Sequence, residues 1–297
     1  MMSVIQLLRI KDWAKNSFLF IPLFFAGQLF EFEKIWLLVI GFFSFSLVAS
    51  SIYIINDYRD IEDDRKHPEK CKRPLASGAV NKTTAVVVCV LLLLAGFALS
   101  YFANPKLKFL FILGIYFIMN LAYSLGLKNI SILDIFILAI GFVLRIKAGS
   151  VIAVIQVSEW LIIMVFLLAL FMATAKRRDD ILLKISMGLD MRKSIKGYNL
   201  DFMNTLLSLI CAVIIVAYFM YTMSAEVILR LGTYRLYYTC IFVIAGIMRY
   251  LQITYVQGQS GSPTKILYKD RFIQLTIIFW ISSFYAILYL KNINIFN

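Results

Sequence analysis

Apolar runs of about twenty residues recur from one end of the chain to the other, separated by short polar connections. A helix needs roughly 20 apolar residues to cross a hydrocarbon core of about 30 Å. The pattern predicts nine spans, at 17–30, 35–55, 83–103, 107–126, 131–152, 158–176, 202–224, 234–252 and 272–290. The first is short. Pro22 and Gly27 interrupt it, and Trp13 precedes it in the manner of an interfacial anchor, so residues 8–30 are expected to lie obliquely. The expected architecture is all-α: a polytopic membrane protein forming one integral-membrane domain over residues 1–297.

The polar connections alternate in charge. Segments 1–16, 56–82, 127–130, 176–200 and 253–271 hold most of the Lys and Arg, whereas 31–34, 104–106, 153–157 and 225–233 are poor in net positive charge. Basic connections stay on the cytoplasmic side. This predicts an inner-membrane protein with a cytoplasmic N-terminus, an outer C-terminus and every chemically interesting loop inside. Met1 to Lys15 lacks an apolar core before a small-residue cleavage site, so no removable signal is expected.

Composition sharpens this picture. Of 297 residues, 61% are hydrophobic and 16% charged, against roughly 25% charged in a soluble domain. Part of the net charge of +13 is ordinary positive-inside bias, and the rest suits anionic headgroups or anionic substrates. Nothing in the pattern points to nucleic acid. Cys71, Cys89, Cys211 and Cys240 are too scattered for a disulfide set or a zinc site. His67 is the only histidine; followed by Pro68, it reads as a helix stop. Chemistry based on a histidine triad or a His-ligated metal is thereby excluded, leaving carboxylates, cations and a hard metal.

The densest chemistry lies between Asn56 and Pro74. Asp57, Asp60 and Asp64 are spaced i, i+3, i+7, which on a helix places them within about 60° of arc. Such a stripe is tolerable if solvent dilutes it or a divalent cation sits in it, and hard oxygen ligands suit Mg²⁺, which bridges carboxylates to substrate phosphates. The stripe is expected to face solvent. Arg65, Lys66, Lys70, Lys72 and Arg73 follow and suit phosphate oxygens. The bland alternative is a solvated loop that only orients helices.

A second cluster, Lys176-Arg177-Arg178-Asp179-Asp180, is expected to open the loop after the sixth span. Arg192, Lys193 and Lys196 read as topogenic charge, followed by Tyr198 and Asp201. Arg145 and Lys147 interrupt apolar sequence, where a cation is costly and faces a cavity or a partner, or snorkels to the interface. Asp134 is a further candidate for a polar interior. Lys15, Asn16 and Lys128 lie at span ends and suit either anchoring or the site. The charged runs ending the second and sixth spans echo each other, as a duplicated four-helix unit would.

Asn56-Asp57-x-x-Asp60-x-x-x-Asp64 resembles the first aspartate-rich signature of the UbiA superfamily of intramembrane prenyltransferases. Several further stretches are similar to its decaprenyl-phosphate phosphoribosyltransferase branch: Leu8 to Asn16, Arg65-x-His67-Pro68-x-Lys70-x-x-Arg73-Pro74 with Ala76-Ser77-Gly78, Tyr123-Ser124 with Leu127-Lys128, and Asp134 through Gly149. Lys176-Arg177-Arg178, Arg192 with Tyr198, and Ser262-Pro263-Thr264 with Asp270 extend the likeness over nearly the whole chain. Two positions depart from the branch, Ile10 where proline is usual and Asp12 where an amide is usual; neither is expected to carry chemistry.

The resemblance implies a nine-helix bundle with a cytoplasm-facing polar cavity. It implies Mg²⁺-dependent transfer of 5-phosphoribose from 5-phosphoribosyl 1-diphosphate to a polyprenyl phosphate. The implied metal and catalytic residues are Asp57, Asp60 and Asp64. The implied substrate contacts are Lys15, Asn16, Asn56, Arg65, Lys70, Arg73, Tyr123, Lys128, Arg145, Lys176, Arg177 and Tyr198. Aromatic prenyltransferases of the superfamily carry a second aspartate motif after the sixth span, where this chain has Lys-Arg-Arg. That favours one metal–diphosphate and a further phosphate over a prenyl diphosphate clamped by two aspartate motifs. The alternatives are an aromatic or quinone-precursor prenyltransferase, and a transporter for an anionic lipid or metabolite.

Overall fold

The computed structural model describes residues 2–66, 70–187, 193–257, 266 and 269–289, and every regular element among them is helical. The α-helices are α1 (Met2–Leu7), α2 (Ile21–Phe25), α3 (Phe32–Arg59), α4 (Ile61–Arg65), α5 (Lys82–Ala103), α6 (Lys108–Leu125), α7 (Leu133–Ala153), α8 (Glu159–Met187), α9 (Leu200–Met223), α10 (Ala225–Leu231), α11 (Cys240–Tyr255) and α12 (Arg271–Tyr289). Short 3₁₀ turns join several of them. His67, Arg192 and Ser262-Pro263-Thr264 lie outside the described residues.

Among the described residues, eight elements are long and apolar enough to cross a membrane: α3, α5, α6, α7, α8, α9, the run Arg235–Tyr255 that ends in α11, and α12. The predicted first crossing is not such a helix. It is a 3₁₀ run, Ile10–Phe20, followed by the five-residue α2 with Pro22 in its first turn. Gly27 then turns the chain at φ 71°. Proline supplies no N–H and glycine favours the left-handed turn, so the segment is not one α-helix. It runs antiparallel along α3, Arg9, Trp13, Asn16 and Leu19 meeting Asp57, Ser50, Ser46 and Gly41 in turn, and reverses at Gly27. Trp13 is not a free interfacial anchor either: its Nε1 donates to Ser50 Oγ on α3 at 3.0 Å.

The helices fall into two compact units, Met1–Lys128 with Gly141–Val157, and Asn129–Ile140 with Ser158–Asn297. The first is built around Leu19, Leu38, Phe45, Val48, Phe109, Leu113, Tyr116 and Ile152. Small residues let its backbones approach closely, as apolar helices require where lipid offers no hydrophobic drive. A Cβ on Gly96 of α5 would lie 2.7 Å from Val48 Cγ2 and 3.0 Å from Ser44 O on α3. Ser44 Oγ donates to Gly96 O at 2.7 Å across the same contact. A Cβ on Gly149 of α7 would lie 2.0 Å from Leu19 O, so only glycine fits against the 3₁₀ run there. In the second unit Ile181, Ile195, Tyr198 and Met203 pack together, joining α8 and α9 to the segment between them.

Candidate active site

The aspartate run is not one unbroken helix. α3 ends at Arg59, Asp60 sits in the turn at φ −94° and ψ 9°, and α4 resumes at Ile61. The winding still carries through, because Asp60 N donates to Asn56 O at 3.0 Å and Asp64 N to Asp60 O at 2.7 Å. Ile61 anchors the turn, packing with Leu7, Ile54, Leu75 and Val80. The consequence corrects the expected solvent-facing stripe: Asp57 and Asp64 are each 3% exposed, and only Asp60 is half-buried.

Buried carboxylates need partners, and cations supply them. Pro74, Leu75 and Ala76 are buried, and Val80 N closes the return loop on Pro74 O at 3.1 Å. This holds Arg73 over α3 and α4. A single nitrogen, Arg73 Nη1, lies 3.0 Å from Asp57 Oδ1 and 2.7 Å from Asp64 Oδ2. Arg9 reaches the same Asp57 oxygen through its Nη2. Arg9 adopts a left-handed backbone (φ 49°) that ends the first segment, and its guanidinium lies over the Tyr53 ring at 5.2 Å.

Asp60 has a separate set of contacts. Lys128 Nζ lies 2.6 Å from both Asp60 oxygens and 3.1 Å from Asn56 Oδ1, while Asn56 Nδ2 donates to Asp60 Oδ2 at 3.1 Å. Lys128 is placed by the 3₁₀ turn Leu127–Asn129 that follows α6. Arg59 Nη1 donates to Ser124 O at 2.9 Å, holding the end of α3 against the end of α6. Tyr123 is half-buried near that end. Arg65 is exposed and closes the loop locally, donating to Glu62 at 2.9 Å and to Ala76 O at 3.1 Å. Lys70 is half-buried in the turn just before Arg73, and Lys15 pairs with Asp12 at 2.6 Å on the surface.

Two expected substrate contacts of this unit are instead bound to protein. Asn16 is buried, donates to Ser46 Oγ at 2.9 Å and accepts from Arg145 Nε at 2.9 Å. Arg145 also donates to Gly141 O at 2.8 Å and to Tyr116 Oη at 2.9 Å, and lies over the rings of Phe45, Tyr116 and Phe142. A cation at membrane depth is tolerable here because every face of the guanidinium has a carbonyl, an amide or a π-system.

In the second unit, Lys176 to Asp180 do not open a loop: they are internal to α8, which continues to Met187. Lys176 is exposed. Arg177 is 1% exposed and faces Asp134, which is fully buried. Its Nε lies 2.6 Å from Asp134 Oδ2, and its Nη1 is 3.2 Å from Asp180. Asp134 also accepts from Ser194 Oγ at 3.1 Å and from Tyr198 Oη at 2.7 Å, while Tyr198 Oη accepts from Ile132 N. Burial, then the hydrogen bond to Asp134, pushes the Tyr198 phenol well above its ordinary pKa, so it stays a donor. Arg177 and Tyr198 therefore complete a buried node around Asp134.

Among the described residues, no three acidic, Cys or His side chains converge as a ready metal site. The donor chemistry of the first unit nevertheless fits a hard cation. Two carboxylate oxygens already converge on one cationic nitrogen, and a third carboxylate lies between them in sequence, hydrogen-bonded to an amide and an ammonium. Arg9 is the contributor that sequence reasoning missed. It stands in the opening segment noted for its resemblance, but 48 residues separate it from Asp57, and no local periodicity links them. Asp134 was visible as an isolated acid, though its partners were not.

Comparison with known proteins bears on these features. The UbiA prenyltransferase family model matches residues 17–190. The chain is 32% identical to the decaprenyl-phosphate phosphoribosyltransferase of Mycolicibacterium smegmatis, over 97% of this chain and 92% of that one. It is 30% identical to the protein of that name from Corynebacterium glutamicum, over 94% and 84% respectively. A UbiA homologue from Archaeoglobus fulgidus, solved with GPP and Mg²⁺, superposes with a TM-score of 0.69 at 20% identity, covering 96% of this chain and 99% of that one. With eight long apolar helices among its described residues, and its aspartate run, the chain belongs to the UbiA prenyltransferase family.

Proposed function

We propose that the protein transfers 5-phosphoribose from 5-phosphoribosyl 1-diphosphate to a polyprenyl phosphate and releases diphosphate, on the cytoplasmic side of the inner membrane. The observation that carries this reading is the cluster in which Asp57, Asp60 and Asp64 are interleaved with Arg9, Arg73 and Lys128. The relatives named as decaprenyl-phosphate phosphoribosyltransferases support it through 30–32% identity over most of the chain.

Asp57, Asp60 and Asp64 would hold Mg²⁺, whose chemistry is to neutralise charge on a departing diphosphate. The residues of the chain do the rest. Arg9, Arg73 and Lys128 are already gathered on the carboxylates, each able to exchange an aspartate oxygen for a phosphate oxygen at little cost in charge-assisted bonding. The anomeric C–O bond of the donor breaks with its electron pair leaving on diphosphate, and an oxygen of the acceptor phosphate forms the new bond from the opposite face, inverting the anomeric carbon. That oxygen is anionic at neutral pH, so no general base is needed. This suits a chain with a single histidine. Arg145 and Asn16 act by fixing the first segment, and with it Arg9, against α3 and α7. The lipid tail of the acceptor stays in the bilayer, which accounts for a membrane-embedded enzyme.

The direct test is to incubate purified protein with ribose-labelled 5-phosphoribosyl diphosphate, Mg²⁺ and polyprenyl phosphates of several lengths. Label passing into the organic phase supports the reading. Prenylation of 4-hydroxybenzoate in place of ribosyl transfer would install the aromatic prenyltransferase, and anion flux in liposomes with no turnover would install the transporter.

A further inference from the structure

The second unit contains a buried cation that has no carboxylate within 4 Å among the described residues. Arg178 of α8 is 6% exposed. Its Nε donates to Asn204 Oδ1 on α9 at 2.6 Å, its Nη2 lies 3.4 Å from Thr254 O on α11, and its guanidinium lies over the Tyr255 ring at 5.6 Å. All of these partners are neutral. No carboxylate lies within 4 Å of Arg178 among the described residues, in contrast to neighbouring Arg177, which has two. Its remaining nitrogen, Nη1, is buried and has no hydrogen-bond partner.

Two more residues with orphaned hydroxyls are linked to it through the helices. The hydroxyl of Thr174 lies one helical turn before Arg178 on the same face of α8, and Thr254 supplies the carbonyl that Nη2 approaches. Both Oγ1 atoms are buried with no hydrogen-bond partner within 3.5 Å, although the Tyr250 hydroxyl stands near that of Thr254. Unmatched groups of this kind are costly, since a buried polar group without a bond costs about 1–3 kcal/mol and an unpaired charge more. The spot is reachable at its edge: Tyr255 is 39% exposed and its hydroxyl is held by Asn204 O at 2.7 Å, with exposed Ser208 beside it.

We infer that Arg178, Thr174 and Thr254 form a binding site for a phosphate-type oxyanion. A water molecule would satisfy a donor but not the charge, whereas an oxyanion answers both: one oxygen for Nη1–H and others for the two hydroxyls. The matching ligands are inorganic phosphate and the monophosphate headgroup of a lipid. The inference stands on this cluster alone and does not depend on the transfer reaction proposed above.

The test uses the full-length protein in detergent micelles with EDTA, which removes the divalent ion the aspartate cluster would need to attract phosphate. Inorganic phosphate and dodecyl phosphate are titrated separately, and binding is followed by equilibrium dialysis and thermal unfolding. The wild type is expected to bind at least one of the two and to unfold at a higher temperature. R178M is expected to lose one equivalent of binding while remaining as stable as the ligand-free wild type, because a buried charge with no carboxylate beside it is gone. The near-isosteric T174V/T254V protein weakens binding by about tenfold. Response to both probes assigns the site to free or headgroup phosphate alike, and response to dodecyl phosphate alone assigns it to a lipid headgroup. Absence of binding in the wild type, or unchanged affinity in T174V/T254V, overturns the inference. Ribosyl transfer with Mg²⁺ is measured on the same preparations, so failure of this site and failure of the proposed reaction are read separately.

Discussion

Lys128 reaches Asp60 across 68 residues of chain, its ammonium 2.6 Å from both carboxylate oxygens. The pair joins the turn after α6 to the break between α3 and α4, and gives the one half-exposed carboxylate of the aspartate run a cation of its own. On the proposed reaction, that cation passes to a phosphate oxygen when the donor binds. K128M is therefore expected to raise KM for 5-phosphoribosyl diphosphate by about 10- to 100-fold, the loss of one charge-assisted bond. Its KM for the lipid acceptor should be nearly unchanged. Steady-state kinetics with each substrate varied in turn checks this, and an equal rise in both would place Lys128 outside donor binding.

Asp57 holds two guanidinium groups and is almost wholly buried, while Arg9 and Arg73 are each about a quarter exposed. D57A is expected to abolish transfer and also to destabilise the fold by about 1–3 kcal/mol, because it strands two cations that water can only partly re-solvate. The cost to folding follows from the burial of Asp57, where the sequence pattern predicts a solvent-facing stripe. A double-mutant cycle with R9M separates the terms: the destabilisation in the pair should be smaller than the sum of the singles. Additive losses would mean that the Arg9 contact contributes nothing.

The Asp134–Arg177 pair is shielded from solvent on both sides. Breaking it by R177A is expected to cost about 3–5 kcal/mol, with Asp134 left buried without its cation. D134L/R177M removes both charges and should recover most of that loss. Thermal unfolding in one detergent compares the three. A stable R177A protein whose only defect is a raised KM would restore Arg177 to direct phosphate binding.

Asp270 precedes α12 and receives Arg249 Nη2 at 2.8 Å and Nε at 3.2 Å. The bond from Arg249 holds its carboxyl below the usual range. A carboxyl lowered in the folded state contributes stability above its unfolded pKa of about 3.9, and the contribution disappears as pH falls through the folded value. The stability difference between wild type and R249Q is therefore expected to be flat from about pH 7 to 5 and to shrink below about pH 4. Urea unfolding at a series of pH values reads it, and a difference that grows on acidification would reverse the sign.

Much of this molecule was legible in the sequence because two of its signals are local. Apolar runs near twenty residues mark the long helices regardless of their neighbours, and the i, i+3, i+7 spacing of Asp57, Asp60 and Asp64 places them on one side of the winding. Pro22 and Gly27 likewise marked the first segment as irregular, though not as the 3₁₀ run that it is. The local signals do not name partners. Nothing near Asp57 in sequence says that it is buried, since its burial rests on Arg9, 48 residues away along the chain, and on a return loop held by Pro74 and Val80. Arg145 read as a cation seeking a cavity; its partners are Asn16, the Phe45 and Tyr116 rings brought in by other helices, and Phe142 on its own helix. Arg177 read as a loop opener because α8 was judged to end with its apolar stretch. The helix runs on because Ile181 and the segment at Ile195 to Tyr198 provide a further buried face.

On the proposed reaction, diphosphate leaves at the Asp57–Asp64 cluster, whose carboxylates would hold Mg²⁺, while a lipid phosphate takes up ribose. The most direct measurement of this is transfer of label from ribose-labelled 5-phosphoribosyl diphosphate to a purified polyprenyl phosphate, with and without EDTA, in wild type and in D64N. The account predicts organic-extractable label and stoichiometric diphosphate from the wild type with Mg²⁺, and neither with EDTA or in a folded D64N protein. Transfer that persists undiminished in D64N, or diphosphate released from a prenyl diphosphate and an aromatic acceptor instead, would contradict it.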